Sequence, residues 1–232
     1  MAISRRVGRL TKRTVAGAAL ELIDELGPEA LTMRGVAARL KVDPMALYRV
    51  VADRDGLISD VVELLMDEVD ETERPGETWE QTMRRLAASE REMALRHPRA
   101  YVLVTAAPTF EGPGLWNAHR VMQLVTKGGL SEDEFFDMWN VIDTWVTGFL
   151  LLETELRVRR ATSDLEQNDL DASWAKKIAA TISERTFWRS FDRVCAGVKA
   201  ALASKVGVED MPGVADEVTG TAWGEPLDAP PQ

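Results

Sequence analysis

One cysteine, two histidines and two tyrosines in 232 residues leave little of the chemistry that enzyme and metal sites draw on. Cys195 stands alone, so neither an internal disulfide framework nor a cysteine-based zinc site can form. A reduced, cytoplasmic setting is therefore expected. There is no Glu-x-x-His pair to hold two irons and no glycine-rich phosphate loop. Cys195 has no histidine near it in sequence to make a thiolate. Neither catalysis, a metal nor a bound cofactor is expected. Long hydrophobic runs are missing as well. The most apolar neighbourhood, from Trp145 to Leu152, falls far short of the roughly 20 residues that span a bilayer, so no membrane partner is expected. Lys12, Arg13 and Glu21 break the stretch after Arg5-Arg6, which argues against a secretory leader. Strand-like alternation and internal repeats are absent too.

What remains is a helical chain of uneven charge. The net charge is −10, yet residues 1–57 carry 10 Lys/Arg against 7 Asp/Glu, while the rest carry 18 against 31. A basic end on an acidic body suits phosphate binding at that end. Apolar spacing of 3.6 predicts an all-α chain, with helices over 11–26, 32–40, 44–51, 54–72, 78–97, 100–106, 114–128, 131–158, 173–182 and 184–205. Residues 206–232 have six acids, no base and frequent Pro and Gly, a composition that predicts no folded element.

The first four helices share a local grammar. Thr11, Thr32, Asp43 and Asp53 stand at the N-cap, each between an apolar residue and another four positions on: Leu10 and Val15, Leu31 and Val36, Val42 and Leu47, Ala52 and Leu57. Pro44 follows its cap, where its missing N–H costs nothing. The segment 31–51 then reads as helix, three-residue turn and short helix, with Val36, Ala37, Leu40, Val42, Leu47 and Val51 as a small core. A second helix of about two turns is not stable alone and must be displayed by its neighbours. Its outer face offers Met45, Ala46, Tyr48 and Arg49.

Residues about 10–66 resemble the DNA-binding domain of the TetR family. The resemblance rests on Ala18-Ala19-Leu20-Glu21-Leu22, on Gly27-x-x-x-Leu31-Thr32, on Arg34-x-Val36-Ala37, on Val42-x-x-x-x-Leu47-Tyr48 and on Leu57. The stretch from Arg96-His97-Pro98 to Gly148-Phe149 resembles the C-terminal domain of the branch around the tetracycline repressor, through Gly128-Gly129-Leu130-Ser131 and Trp145-Val146-Thr147-Gly148-Phe149. The resemblance implies a helix-turn-helix domain over 1–57, a linker helix at 54–72, a ligand-binding and dimerisation domain over 58–205 and an acidic tail. It also implies a regulator, most simply a repressor, that binds a palindromic operator as a homodimer and is released by a small-molecule effector. The chain departs from the family pattern in two places. Lys41 stands where the turn usually has glycine, and Asp53-Arg54 where the fourth helix usually opens with lysine.

By this resemblance Arg34 contacts a base or a phosphate, unless it is an ordinary surface arginine. Tyr48 places its hydroxyl on a phosphate, or else joins the core. Arg49 suits a bidentate guanine contact, with phosphate as the rival. Pro44, Met45 and Ala46 can offer only apolar contact to thymine methyls. Lys41 and Arg54 are assigned to phosphate. Arg5, Arg6, Arg9, Lys12 and Arg13 form either an arm along the DNA or a solvated start.

Further on, Ser131-x-x-Glu134 is a capping box opening a long helix with two apolar stripes. Phe135, Trp139, Ile142, Val146 and Phe149 make one; Met138, Val141, Trp145, Gly148 and Leu152 make the other. One stripe can close the core and the other can meet a second subunit, together with the helix at 184–205. Leu103, Trp116, Val121, Trp139, Trp145 and Phe149 either line a cavity for an apolar or aromatic effector or simply pack the core. Asp143, a carboxylate on an apolar helix, needs a partner that a cationic or hydroxylated ligand would supply. No imidazole lies near 103–108 to hold a metal-chelated tetracycline, which argues against that ligand. Control by a protein partner, or activation rather than repression, remains open at this point.

Overall fold

The computed structural model describes residues 10–106, 112–161 and 172–204, with the side chains of 172–176 left aside. The described residues form ten α-helices and no strand. In chain order these are α1 (Lys12–Leu26), α2 (Met33–Leu40), α3 (Pro44–Leu47), α4 (Arg54–Met66), α5 (Trp79–Arg96), α6 (Tyr101–Ala106), α7 (Gly112–Lys127), α8 (Glu132–Ala161), α9 (Ala172–Thr181) and α10 (Glu184–Ser204). The acidic 206–232 segment and Arg5, Arg6 and Arg9 lie outside the described residues.

The expected caps are present. Thr11 accepts from the Thr14 N–H at 3.2 Å, Thr32 from Gly35 at 3.0 Å, Asp43 from Met45 at 2.8 Å and Asp53 from Gly56 at 2.7 Å. Each cap stabilises its helix by about 1 kcal/mol, a large share for helices this short. Val15, Val36, Leu47 and Leu57, four positions on, are fully buried. Ala52 is exposed, so the apolar partner expected before the fourth cap is missing.

Helices α1 to α4 share one small core. Val15, Ala19, Ile23, Leu31, Val36, Ala37, Leu47, Val51, Leu57 and Val61 are all buried in it. Arg39 of α2 reaches back to Glu21 and Glu25 of α1 and fixes the angle between the two helices. Lys41 sits in the left-handed region, with φ 57° and ψ 43°, and is the one non-glycine with positive φ among the described residues. The turn therefore keeps the geometry glycine favours, with lysine bearing a strain of roughly 1 kcal/mol.

Two helices are shorter than the periodicity predicts. After Leu47 the chain tightens: Val50 and Val51 both donate to the Leu47 carbonyl at 2.9 Å, and the extended backbone at Asp53 follows at once. This leaves α3 a single turn. Helix α4 stops at Met66, because the Asp70 carboxylate takes the Thr72 N–H at 3.1 Å and Ser89 takes that of Asp70 at 2.9 Å. Side chains here offer the backbone a better bargain than the next turn of helix.

The remaining helices form a bundle around α8, which packs on α5, α6, α7 and α10. Its capping box forms, with the Ser131 N–H on Glu134 at 2.8 Å and the Glu134 N–H on Ser131 at 3.3 Å. Phe135, Met138, Ile142, Val146 and Leu150 point inward. Where α7 ends, the Trp79 N–H donates to the Gly128 carbonyl at 3.2 Å. A Cβ on Gly128 would lie 2.6 Å from that same nitrogen. Backbone cannot yield there, so Gly128→Ala is expected to destabilise by about 1–3 kcal/mol, read as a lower urea midpoint. An unchanged midpoint would mean that α5 and α7 do not meet this closely.

The N-terminal helices meet the bundle through the apolar face of α4 and through polar contacts. His97, which ends α5, points Nδ1 at the Asp24 carboxylate at 2.7 Å and Nε2 at that of Glu68 at 3.2 Å. Arg99 donates to the Asp24 carbonyl at 2.8 Å, and Arg96 pairs with Glu68. Burial raises the Asp24 carboxyl above its ordinary range, with His97 opposing that shift. Helix α4 runs through both parts: Leu57 and Val61 belong to the first core, while Val62, Met66 and the following Val69 face the second.

Candidate functional site

Two sites stand out, one at each end of α4. The first is the surface around α3. Arg34, Lys41, Tyr48, Arg49 and Arg54 are exposed, Met45 is 69% exposed, and Pro44 and Ala46 are half-buried. The side chains of Arg34, Lys41 and Arg49 make no ion pair with any described residue. Many cations of the bundle are paired instead: Arg74, Arg84, Arg85, Arg91, Arg96, Arg120, Lys127 and Lys199 all meet carboxylates. Unpaired positive charge beside an exposed helix N-terminus is what an external phosphate can use. Tyr48 is 49% exposed and stays out of the core.

Arg54 departs from this pattern. Its Nε donates to the Leu31 carbonyl at 3.2 Å and ties α4 to the entry of α2. Lys12 and Arg13 are in the first turn of α1 and turn toward α4, where they meet Asp60 at 3.5 Å and Asp67 at 2.8 Å. These two residues of the expected basic arm are thus engaged within the fold.

The second site is a cavity of about 110 Å³ between α4, α5, α6, α7 and α8. Val62, Met66, Val104 and Trp139 supply apolar wall; Glu90, Asn117, Asp143, Thr105 and Thr147 supply polar groups. A recess of about 20 Å³ continues it toward Val69, Met83, Leu86 and Val121. Of the seven residues proposed for an effector, Val121, Trp139 and Asp143 line this space. Trp145 and Phe149 do not. They pack with Phe187 at ring distances of 5.3 Å in an aromatic cluster between α8 and α10. Leu103 packs half-buried against the core, and Trp116 is 53% exposed. One face of a helix can serve the cavity or the α10 contact, and a 3.6-residue period does not say which.

Glu90 is the residue that sequence reasoning missed. It continues the buried stripe Met83, Leu86, Ala87, Met93 and Ala94 along α5, a signal open to inspection but masked by the many charges around it. The Tyr101 hydroxyl donates to its carboxylate at 2.7 Å. Burial pushes the Glu90 carboxyl up. Burial, with the Glu90 charge nearby, pushes Asp143 to about 7. The Tyr101 phenol is raised well above its ordinary value by the same two causes. No group of three or more His, Cys, Asp or Glu among the described residues is placed to hold a metal. No helix among them is long and apolar enough to cross a membrane.

Comparison with known proteins accords with this arrangement. Residues 72–201 match the family described as Tetracyclin repressor-like, C-terminal domain. The chain is 27% identical over 212 residues to the HTH-type transcriptional repressor DrrR1 of Streptomyces coeruleorubidus, covering 83% of this chain and 76% of that one. It is 27% identical over 165 residues to the class E tetracycline repressor of Escherichia coli, covering 70% and 74%. Among solved structures it is similar to the Streptomyces coelicolor TetR family protein ActR in complex with actinorhodin, with TM-score 0.67 and 25% identity over 84% of this chain and 97% of that one. The family match takes in more than half of the residues and spans every helix from α5 onward except the last few residues of α10, so this chain belongs to the TetR family of transcriptional regulators.

Proposed function

We propose that the protein is a repressor that binds a palindromic operator as a homodimer and lets go when a small molecule enters the cavity between α4 and α8. The observation that carries this reading is the set of exposed cations gathered around the outward face of α3, on a head joined by α4 to a cavity. In it, α3 enters the major groove, Arg49 reads a base edge, and Arg34, Lys41, Tyr48 and Arg54 hold the phosphates, with Pro44, Met45 and Ala46 against thymine methyls. Its relatives support it: DrrR1 is a repressor, and ActR is seen in complex with actinorhodin.

A second copy has a surface to meet. Val141, Thr144, Gly148 and Leu152 are exposed along one stripe of α8, as are Arg193, Ala196, Gly197 and Ala200 on α10. Small residues there would let helices approach closely. Residues 1–57 act as the DNA-binding unit, 58–205 as the ligand and dimer unit. An effector pressing on Met66 and Val69 moves α4 and with it the spacing of the two heads, which must stay near 34–36 Å to reach successive grooves. Ten- to hundredfold release requires a difference in ligand affinity of only about 1.4–2.8 kcal/mol. A recess between five helices, lined by apolar and polar groups, favours a small molecule over a protein partner.

The test is selection of bound DNA from a random pool by the full chain. An inverted repeat with half-sites about one helical turn apart is the expected result. Arg49→Ala should lose about 1–3 kcal/mol of discrimination per subunit, whereas Arg54→Ala should weaken all sequences alike and flatten the salt dependence. Enrichment of no sequence, or an Arg49→Ala protein with undiminished preference, overturns the assignment.

A further inference from the structure

Resting on that reading, we propose that the cavity takes a cation: a protonated amine carried on a small aromatic body. Three acceptors converge there from three helices: the Glu90 carboxylate from α5, Asn117 from α7 and Asp143 from α8. The Asn117 Oδ1 is buried and receives no hydrogen bond. Glu90 receives one, from Tyr101, and Asp143 none from any described residue. The described residues lining the space include no lysine, arginine or histidine. Two half-buried carboxylates held together without a cation are costly, and a missing positive charge is the economical explanation.

An ammonium group has three N–H donors and no acceptor, which answers these three acceptors one for one. Beside them stand the Trp139 ring and the Met66 and Val62 side chains. They suit an aromatic body, and the indole face adds attraction for the charge. An anion would meet two like charges and no donor from a basic side chain.

The titratable groups facing the space are Glu90 from α5, Tyr101 from α6 and Asp143 from α8; α4 and α7 contribute none among the described residues. Tyr101 stays neutral through the physiological range. Burial leaves Asp143 half-protonated near pH 7, so the empty site holds a proton that an incoming cation expels. Affinity for a permanently charged amine should then fall as pH falls through 7.

The probes are a matched set: 1-naphthylmethylamine, 1-naphthalenemethanol and 1-naphthoate. Each is titrated into the full-length protein by calorimetry, in two buffers of different ionisation enthalpy. The amine is expected to bind at least tenfold more tightly than the alcohol, the carboxylate least, with proton release on amine binding near pH 7. Amine affinity should drop up to tenfold between pH 8 and pH 6, where the probe itself stays charged; this arm needs no variant. Asp143→Asn and Glu90→Gln, near-isosteric and checked by thermal melting, should abolish the preference for amine over alcohol. Carboxylate binding as tight as amine binding, a preference that survives both variants, affinity flat with pH, or binding of none of the probes each overturns the proposal. Operator binding is measured on the same samples. A protein that reads DNA without preferring the amine loses this inference and keeps the regulator; one that prefers the amine and selects no DNA does the reverse.

Discussion

Asp143→Asn is expected to melt higher than the native protein by on the order of 10 °C at pH 8, and within a few degrees of it at pH 4. The ordinary carboxyl value of 3.8 applies in the unfolded chain, against about 7 in the folded one. Between these values the folded chain holds more protons than the unfolded, so stability falls as pH rises. Below 3.8 both states are protonated and nothing is lost. Above 7 both are ionised and the full penalty, about 4 kcal/mol, is present. Asparagine removes the charge and keeps the shape, so its gain appears only where the carboxylate would be ionised. Differential scanning calorimetry of the unliganded proteins at the two pH values decides the matter. A variant no more stable at pH 8 would mean that Asp143 already has a partner.

Arg91→Ala is expected to lose about 3–5 kcal/mol. Arg91 forks onto Glu153, with Nε at 2.9 Å and a terminal nitrogen at 2.7 Å, and both side chains are 12% exposed. Its other terminal nitrogen lies 3.7 Å from Glu184, and its guanidinium stands 5.7 Å over the Phe187 ring. One side chain thus pins α5 to both α8 and α10. Removing it leaves Glu153 charged, buried and alone. Lysine would not rescue the protein, since it lacks the planar fork. Glu153→Ala should cost less, because Arg91 keeps Glu184 and Phe187. The double change Arg91→Met with Glu153→Leu should recover most of the loss, as apolar replacements of buried ion pairs often do. Urea unfolding of the native protein and the three variants gives the comparison, and a single-variant loss under 1 kcal/mol for Arg91→Ala would put the pair at the surface in effect.

What could be read beforehand was what is local. The caps at Thr11, Thr32, Asp43 and Asp53 follow from a side chain reaching a backbone N–H two or three residues on, and that geometry is written in the spacing. The left-handed Lys41 follows from the turn it must close. Asp143 was conspicuous as a charge on an apolar helix. The partner acid Glu90 was not, because nothing in one helix says which stripe of a distant helix will face it. Trp145 and Phe149 went to the α10 contact for the same reason: aromatic rings suit a cavity wall and a helix seam equally well. The early ends of α3 and α4 were set by the demands of the next cap and by Ser89, which lies 19 residues beyond the Asp70 it binds.

The contacts of His97 with Asp24 and Glu68 bear on how quickly the molecule can answer a signal. Interlocked methyl groups must unpack before one surface slides on another, and friction of that kind slows a turn. Hydrogen bonds among imidazole, guanidinium and carboxylate groups can be exchanged for water one at a time. Beside the apolar packing of α4, the bearing between head and body includes contacts of this second kind. Reorientation that exchanges such contacts and only slides the apolar face of α4 is expected in the microsecond-to-millisecond range of hinge motions.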